Sequence, residues 1–282
     1  MYAITGITGR VGGAVARTLL DAGQSVRAVL RDPAKGAPWN KRGCELAVAA
    51  MDDAEALARA FAGAEGVFVL PPPCFDPAPG FPEARAVVSA VRAALEAARP
   101  KKVVWLSTVG AQAGQPNLLS QHTLMEAALE GLDLPLVILR PAWFLENAEW
   151  DVVPARDDGV IASFLQPLDR AIPMVATADI GRVAADLLRQ DWTGRRIVEL
   201  QGPRPVSPND IAAALATLLG RPVRAEAVPR ATWGGLFRDQ GMADPQPRIQ
   251  MLDGFNEGWL TFEGGDVLKG EVELETVLRG LV

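Results

Sequence analysis

Short apolar runs alternate with helical stretches through the first half of the chain, and this rhythm is its clearest structural signal. Residues 2–5, 25–30, 45–49, 66–70, 103–107 and 135–140 read as strands. Between them, 11–22, 53–62, 83–98 and 118–131 read as helices. Val11, Val15 and Leu19 recur at helical spacing in the first, and Val88, Val91 and Leu95 mark a single buried stripe in the third. Each crossover is long enough for a right-handed βαβ unit, so the pattern predicts an α/β fold with a doubly wound parallel sheet.

The regularity fails after Arg140-Pro141, where Trp, Gly, Pro and acidic residues become frequent and the apolar runs shorten. The expected division is therefore a Rossmann domain over 1–150 and a smaller α+β substrate-side region over 151–175 and 203–282. Residues 176–202 are expected to return to the first sheet, with Asp179 capping a helix over 180–188 and a strand over 196–201. Ser207 as N-cap, Pro208 at the first helical position and Gly220 beyond the end predict a helix over 208–219.

Composition narrows the classes without naming one. The chain has 282 residues, 49% hydrophobic and 22% charged, which is ordinary globular usage. No apolar run approaches the roughly 18 residues of a membrane span, and the N-terminus enters a strand without a basic stretch or cleavage site, so a cytoplasmic protein is expected. Cys44 and Cys74 lie far apart with no C-x-x-C spacing, which indicates neither a disulfide framework nor a metal site. A net charge of −6 with scattered basic residues gives no support to nucleic-acid binding. The short cluster Arg99-Pro100-Lys101-Lys102 reads as a solvated turn.

The chemistry begins at Thr5-Gly6-Ile7-Thr8-Gly9-Arg10-Val11-Gly12, where the first strand turns into the first helix. Gly6 can take a backbone conformation closed to other residues, Gly9 lets the main chain approach a phosphate, and Gly12 lets the helix lie against the strand. The N–H groups of the helix start then face a pyrophosphate. The second strand ends in Arg31, where an acidic residue would bind a ribose 2′-hydroxyl. A guanidinium suits a 2′-phosphate instead. With Arg10 and Lys35 adding positive charge and Asp32 opposing it, NADP(H) is expected over NAD(H).

These residues resemble a family. The glycine turn, Val69-Leu70-Pro71-Pro72-Pro73, Leu106-Ser107-Thr108 and the run Leu139-Arg140-Pro141-Ala142-Trp143-Phe144-Leu145-Glu146-Asn147 are similar to the NmrA-like branch of the atypical short-chain dehydrogenase/reductases. Ile172-Pro173-Met174 before Asp179-Ile180, and Gly202-Pro203 before a helix, extend the similarity over most of the chain. The resemblance implies an NADP(H)-binding Rossmann domain and a small C-terminal domain closing a cleft. It also implies quinone-reductase-like or isoflavone-reductase-like activity, or a role in sensing redox state. Thr5, Gly6, Thr8, Gly9, Arg10, Val11, Gly12, Arg31, Lys35, Leu70, Pro71, Pro72, Ser107, Pro141 and Phe144 are then the expected cofactor contacts.

One departure bears on mechanism. The chain has one tyrosine, Tyr2 in the first strand, and no lysine in 118–131, so the Tyr-x-x-x-Lys proton-transfer pair of typical members is missing. In that helix His122 and Glu126 stand four residues apart, which places them on one face as a candidate histidine–carboxylate couple. His122 also aligns with Met125 and Leu129, so a histidine on an apolar face is the competing reading. Ser107 at the end of the fifth strand is a candidate to orient a substrate oxygen. Trp143 and Asn147 are candidate substrate contacts, as are Met174 and Trp233, which core packing would equally explain. Two functions follow: NADPH-dependent reduction of a quinone-like or conjugated small molecule, or a non-catalytic NADP(H) redox sensor. An isomerase keeping the nucleotide as a structural cofactor stays open, as does homo-oligomer formation.

Overall fold

The computed structural model describes residues 1–282. The strands in chain order are β1 (Tyr2–Ile4), β2 (Val26–Leu30), β3 (Glu45–Val48), β4 (Gly66–Val69), β5 (Lys102–Leu106), β6 (Leu136–Pro141), β7 (Trp143–Phe144), β8 (Val160–Ser163), β9 (Met174–Val175), β10 (Arg195–Gln201), β11 (Arg224–Ala227) and β12 (Val267–Lys269). The helices are α1 (Arg10–Asp21), α2 (Ala37–Asn40), α3 (Ala54–Phe61), α4 (Pro82–Ala98), α5 (Ser120–Ala128), α6 (Glu149–Asp157), α7 (Thr177–Arg189), α8 (Pro208–Leu219), α9 (Trp233–Asp239), α10 (Gln246–Glu257) and α11 (Leu274–Arg279).

Eight strands form one parallel sheet in the order β12-β10-β6-β5-β4-β1-β2-β3. Helices cover both faces. Helices α1 and α7 pack with the sheet into one apolar cluster built on Ile4, Val15, Leu19, Phe68 and Ile180, while α3, α4 and α5 cover the other face around Phe61, Val91, Leu95 and Trp105. The central strands are buried on both sides, which is why they read as continuous apolar runs. Sheet order reverses between β1 and β4, and the carboxyl ends of those strands open a crevice there.

A third apolar cluster belongs to the C-terminal lobe, where α6, α8, α9, α10 and α11 surround the parallel pair β8–β11. Helix α8 starts on a capping box: the Ser207 hydroxyl accepts from Asp210 N, and the Asp210 carboxylate accepts from Ser207 N. Two expectations change. Strand β12 joins the edge of the main sheet from within the stretch assigned to the smaller region, because Val267–Lys269 is too short to announce itself. Helix α7 begins at Thr177, so Asp179 lies inside its first turn and is not its cap. The cap is Glu146, whose carboxylate accepts from Thr177 N at 2.9 and 3.0 Å and from Thr177 Oγ1 at 2.5 Å. Buried Asp179 accepts instead from Glu271 N and Val272 N, both at 2.9 Å, and holds the C-terminal chain against the sheet.

Helices α1 and α7 approach so closely that a Cβ added at Gly181 would lie 2.3 Å from Ala14 Cβ. Gly181→Ala is therefore expected to destabilise the fold by about 1–3 kcal/mol through overpacking, read as a lowered urea midpoint. An unchanged midpoint would mean that this interface yields freely.

Candidate functional site

The crevice is built first by the glycine turn. Gly6 has φ 62°, and a Cβ there would meet Leu70 Cδ2 at 2.6 Å; at Gly12 it would meet the Gly6 carbonyl oxygen at 2.3 Å. The turn can therefore lie flat against β4 and α1 only with glycine at both places. Helix α1 has no side-chain cap and no acid in its first turn. Its first N–H groups and positive dipole end are thus left for an anion.

The expected cofactor residues divide by position. Thr5 is fully buried, and its hydroxyl donates to Phe68 O at 3.2 Å and accepts from Leu70 N at 2.8 Å. It clamps the exits of β1 and β4 together, which corrects its reading as a cofactor contact. Val11 sends its side chain into the core and leaves only its main chain to the turn. Thr8 and Arg10 are exposed at the turn, Arg10 bonding Glu149 of α6 at 2.9 Å. Arg31 and Lys35 are exposed beyond β2, and neither forms an ion pair. The nearby Asp32 carboxylate accepts from Ala34 N at 3.0 Å, so it caps a local turn. Leu70 and Phe144 are half-buried, Pro71 and Pro141 are buried, and Pro72 is exposed.

At the carboxyl ends of β5 and β6 the sequence reading needs its largest correction. Glu126 does not pair with His122. Its carboxylate receives Arg140 Nε at 3.0 Å, Arg140 Nη2 at 2.6 Å and the Ser107 hydroxyl at 2.5 Å. Arg140 is 4% and Glu126 6% exposed, so this is a sealed, bidentate ion pair. Arg140 Nη1 reaches Glu263 Oε2 at 2.5 Å and Gln112 Oε1 at 3.3 Å. The Glu263 loop is held from below by Glu199, which accepts from Glu263 N at 2.8 Å and Gly264 N at 2.9 Å. Gln112 Nε2 adds a bond to Thr261 O at 2.8 Å. Residues 261–264 are thereby strapped over the ends of β5, β6 and β10.

His122 is left without a carboxylate partner. Its Nδ1 is shut off from solvent and accepts or donates no hydrogen bond, and burial pushes the imidazole down to about 4 despite the opposing charge of Glu126. The ring is neutral at pH 7, so it cannot deliver a proton as an imidazolium. The group whose ionisation falls near neutrality is Asp151 on α6, raised to about 7 by burial.

Trp143 is half-buried at this sheet end, its ring edge-on to Phe255 at 5.1 Å, and Asn147 is exposed beside it in the chain. Met174 and Trp233 are sealed in the C-terminal core, where Trp233 Nε1 donates to Val228 O at 2.9 Å. They offer no surface to a substrate, which corrects that expectation. The sequence reading assigned no role to Arg140 or Glu263. A charged residue closing the buried run Leu136–Pro141 was a signal for the first; nothing local marks Glu263, 123 residues away in the chain.

A parallel sheet with a glycine turn at its switch point defines a Rossmann-type dinucleotide-binding protein. Residues 6–191 match the model of the NAD(P)H-binding family, and the chain belongs to it. It is 26% identical over 263 residues to an NAD(P)H azoreductase of Xenophilus azovorans, covering 89% of this chain and 87% of that protein. It is 25% identical over 246 residues to quinone oxidoreductase 2 of Escherichia coli, covering 86% and 83%. The fold superimposes on the triphenylmethane reductase of Citrobacter sp. complexed with NADP(H), with a TM-score of 0.82 at 19% identity over 100% of this chain and 99% of that one. No helix is long and apolar enough to cross a membrane.

Arg140→Met would strand the Glu126 charge in the interior and is expected to cost about 3–5 kcal/mol, read by urea unfolding. Adding Glu126→Gln to it should restore a substantial part of the loss. His122 gives a separate signature. Its folded value near 4 lies below the ordinary 6.5, so the unfolded chain holds a proton that the native state sheds. Stability should fall as pH drops from about 6.5 towards 4, and the difference curve against His122→Asn should contain that fall. Parallel curves would place the ring in solvent.

Proposed function

We propose that the protein is an NADPH-dependent reductase of quinone-like or otherwise conjugated small molecules. The observation that carries this reading is the state of the groups at the end of β5. Ser107 has its proton committed to Glu126, His122 is neutral, and the only tyrosine is buried in β1. A simple ketone accepting hydride becomes an alkoxide that needs a strong acid beside it. A conjugated acceptor spreads the negative charge and can take its proton from water. The residue set favours the second kind of substrate.

When bound, the nicotinamide supplies the hydride. The glycine turn and the start of α1 hold the pyrophosphate, and Arg31 with Lys35 receives the 2′-phosphate. Ser107, its proton held by Glu126, can accept a hydrogen bond from an N–H or O–H of the substrate, its orientation set by Glu126 and Arg140. His122 offers a neutral imidazole as a hydrogen-bond partner without releasing its proton. Half-buried Trp143, held edge-on against the buried Phe255, offers an apolar face for a flat ring. The azo and quinone reductase activities named for the similar proteins support the same class of acceptor.

The test is steady-state oxidation of NADPH and NADH by purified protein with a panel of quinones and azo compounds. Turnover above a cofactor-only blank is expected, with NADPH preferred by about tenfold or more from the 2′-phosphate contacts. Arg31→Ala should bring that preference close to one. Failure of every acceptor, with NADP+ and NADPH altering conformation differently, would favour a redox sensor instead.

A further inference from the structure

We propose that Arg248 is an anchor for an anionic substituent on the acceptor, so that the protein prefers substrates carrying a carboxylate, sulfonate or phosphate group. This deepens the reductase reading and rests on it. The first observation is a contrast among the arginines shielded from solvent. Arg27, Arg92, Arg140, Arg182 and Arg196 each bond a carboxylate. Arg248 is half-buried and bonds none. Its guanidinium lies over the Phe237 ring at 4.3 Å, and its one polar contact is Met242 Sδ at 3.8 Å from Nη1. An aromatic face and a thioether leave most of its five donors unmet. Burying a cation in that way is costly, and an anionic ligand would repay the cost.

The second observation is where α10 points it. Ile249 and Leu252 enter the C-terminal core, and Asn256 donates to Phe164 O on the same side. Pro247 O accepts from Leu118 N ahead of α5, and Gly254 packs against Leu260, which covers Gly110 beyond β5. Gln246 and Glu257 are exposed on the outer edge. Arg248, Met251 and Phe255 follow one another at i, i+3 and i+7, with Phe255 in the C-terminal core and Met251 packed against it. Phe255 at its end meets Trp143 past β6, at the same sheet end as Ser107 and His122. Helix α10 thus carries Arg248 beside the chain that leads from β5 into α5, through the Leu118–Pro247 bond and the Gly254–Leu260–Gly110 contact, at the sheet end that holds Ser107.

The experiment measures binding without turnover. Full-length protein saturated with NADP+ is titrated with a naphthoquinone and with its ring-sulfonated derivative, following tryptophan fluorescence. The same titrations use Arg248→Met and Arg248→Lys, with NADPH affinity measured for all three proteins. The wild type should bind the sulfonated quinone about tenfold or more tighter than the parent. Arg248→Met should bring the ratio close to one, and Arg248→Lys should keep part of it. Because Arg248 has no partner to strand, Arg248→Met should fold with an undiminished thermal midpoint. Equal affinities in the wild type, no binding of the sulfonate, or a preference that survives in Arg248→Met would overturn the anchor. A loss of NADPH affinity as large as that for the sulfonate would overturn it too, by assigning the arginine to the cofactor. A preference that vanishes with the arginine while neither quinone oxidises NADPH would sink the reductase reading and leave the anchor standing.

Discussion

The buried pair between Arg140 and Glu126 is the constraint on which the rest of the site depends. Two charges removed from water at the carboxyl end of a parallel sheet are tolerable only if every remaining donor and acceptor finds a partner. The partners found are Ser107 just past β5, Gln112 from the same loop and Glu263 from the C-terminal strap. One ion pair thereby fixes three things at once: the orientation of Ser107, the position of α5, and the seat of the strap over the ends of β5 and β6. The strap is in turn seated on Glu199, and the chain beyond β12 on Asp179, two further buried carboxylates that accept main-chain N–H groups. Carboxylates from β10 and α7 hold the segment in place where a hydrophobic contact alone would allow it to slide.

The fold was legible where a local pattern carried it. Strands buried on both faces announce themselves as apolar runs, and the glycine turn states its own geometry, since Gly6 and Gly12 have no room for a Cβ. Legibility ended where the deciding partner was remote. Asp179 precedes an apolar run and looks like a cap, yet the helix starts earlier on a carboxylate from Glu146, 31 residues back. His122 and Glu126 do share a helix face, but helical spacing knows nothing of Arg140, which takes both carboxylate oxygens. Met174 and Trp233 could equally have been pocket or core, and burial decided for core. Strand β12 was missed because three residues show no periodicity.

The same network explains how the fold can keep a dinucleotide site while lacking the tyrosine–lysine pair. In the place of that pair stand a neutral histidine and a carboxylate neutralised by arginine. Neither is a strong acid at pH 7, so the protein part of the site can bind and orient without donating a proton. That restriction is the ground for proposing acceptors whose reduced form is a stabilised anion.

The central claim is that hydride transfer proceeds without an acid supplied by the α5 helix. Rapid mixing of the protein with a quinone and NADPH deuterated at the transferred position, across pH 5.5 to 8, tests it most directly. The account predicts a primary isotope effect on the hydride step, with wild-type and His122→Asn profiles of the same shape. A wild-type profile that bends near pH 6.5 and loses that bend in His122→Asn would contradict it, because His122 would then be the acid.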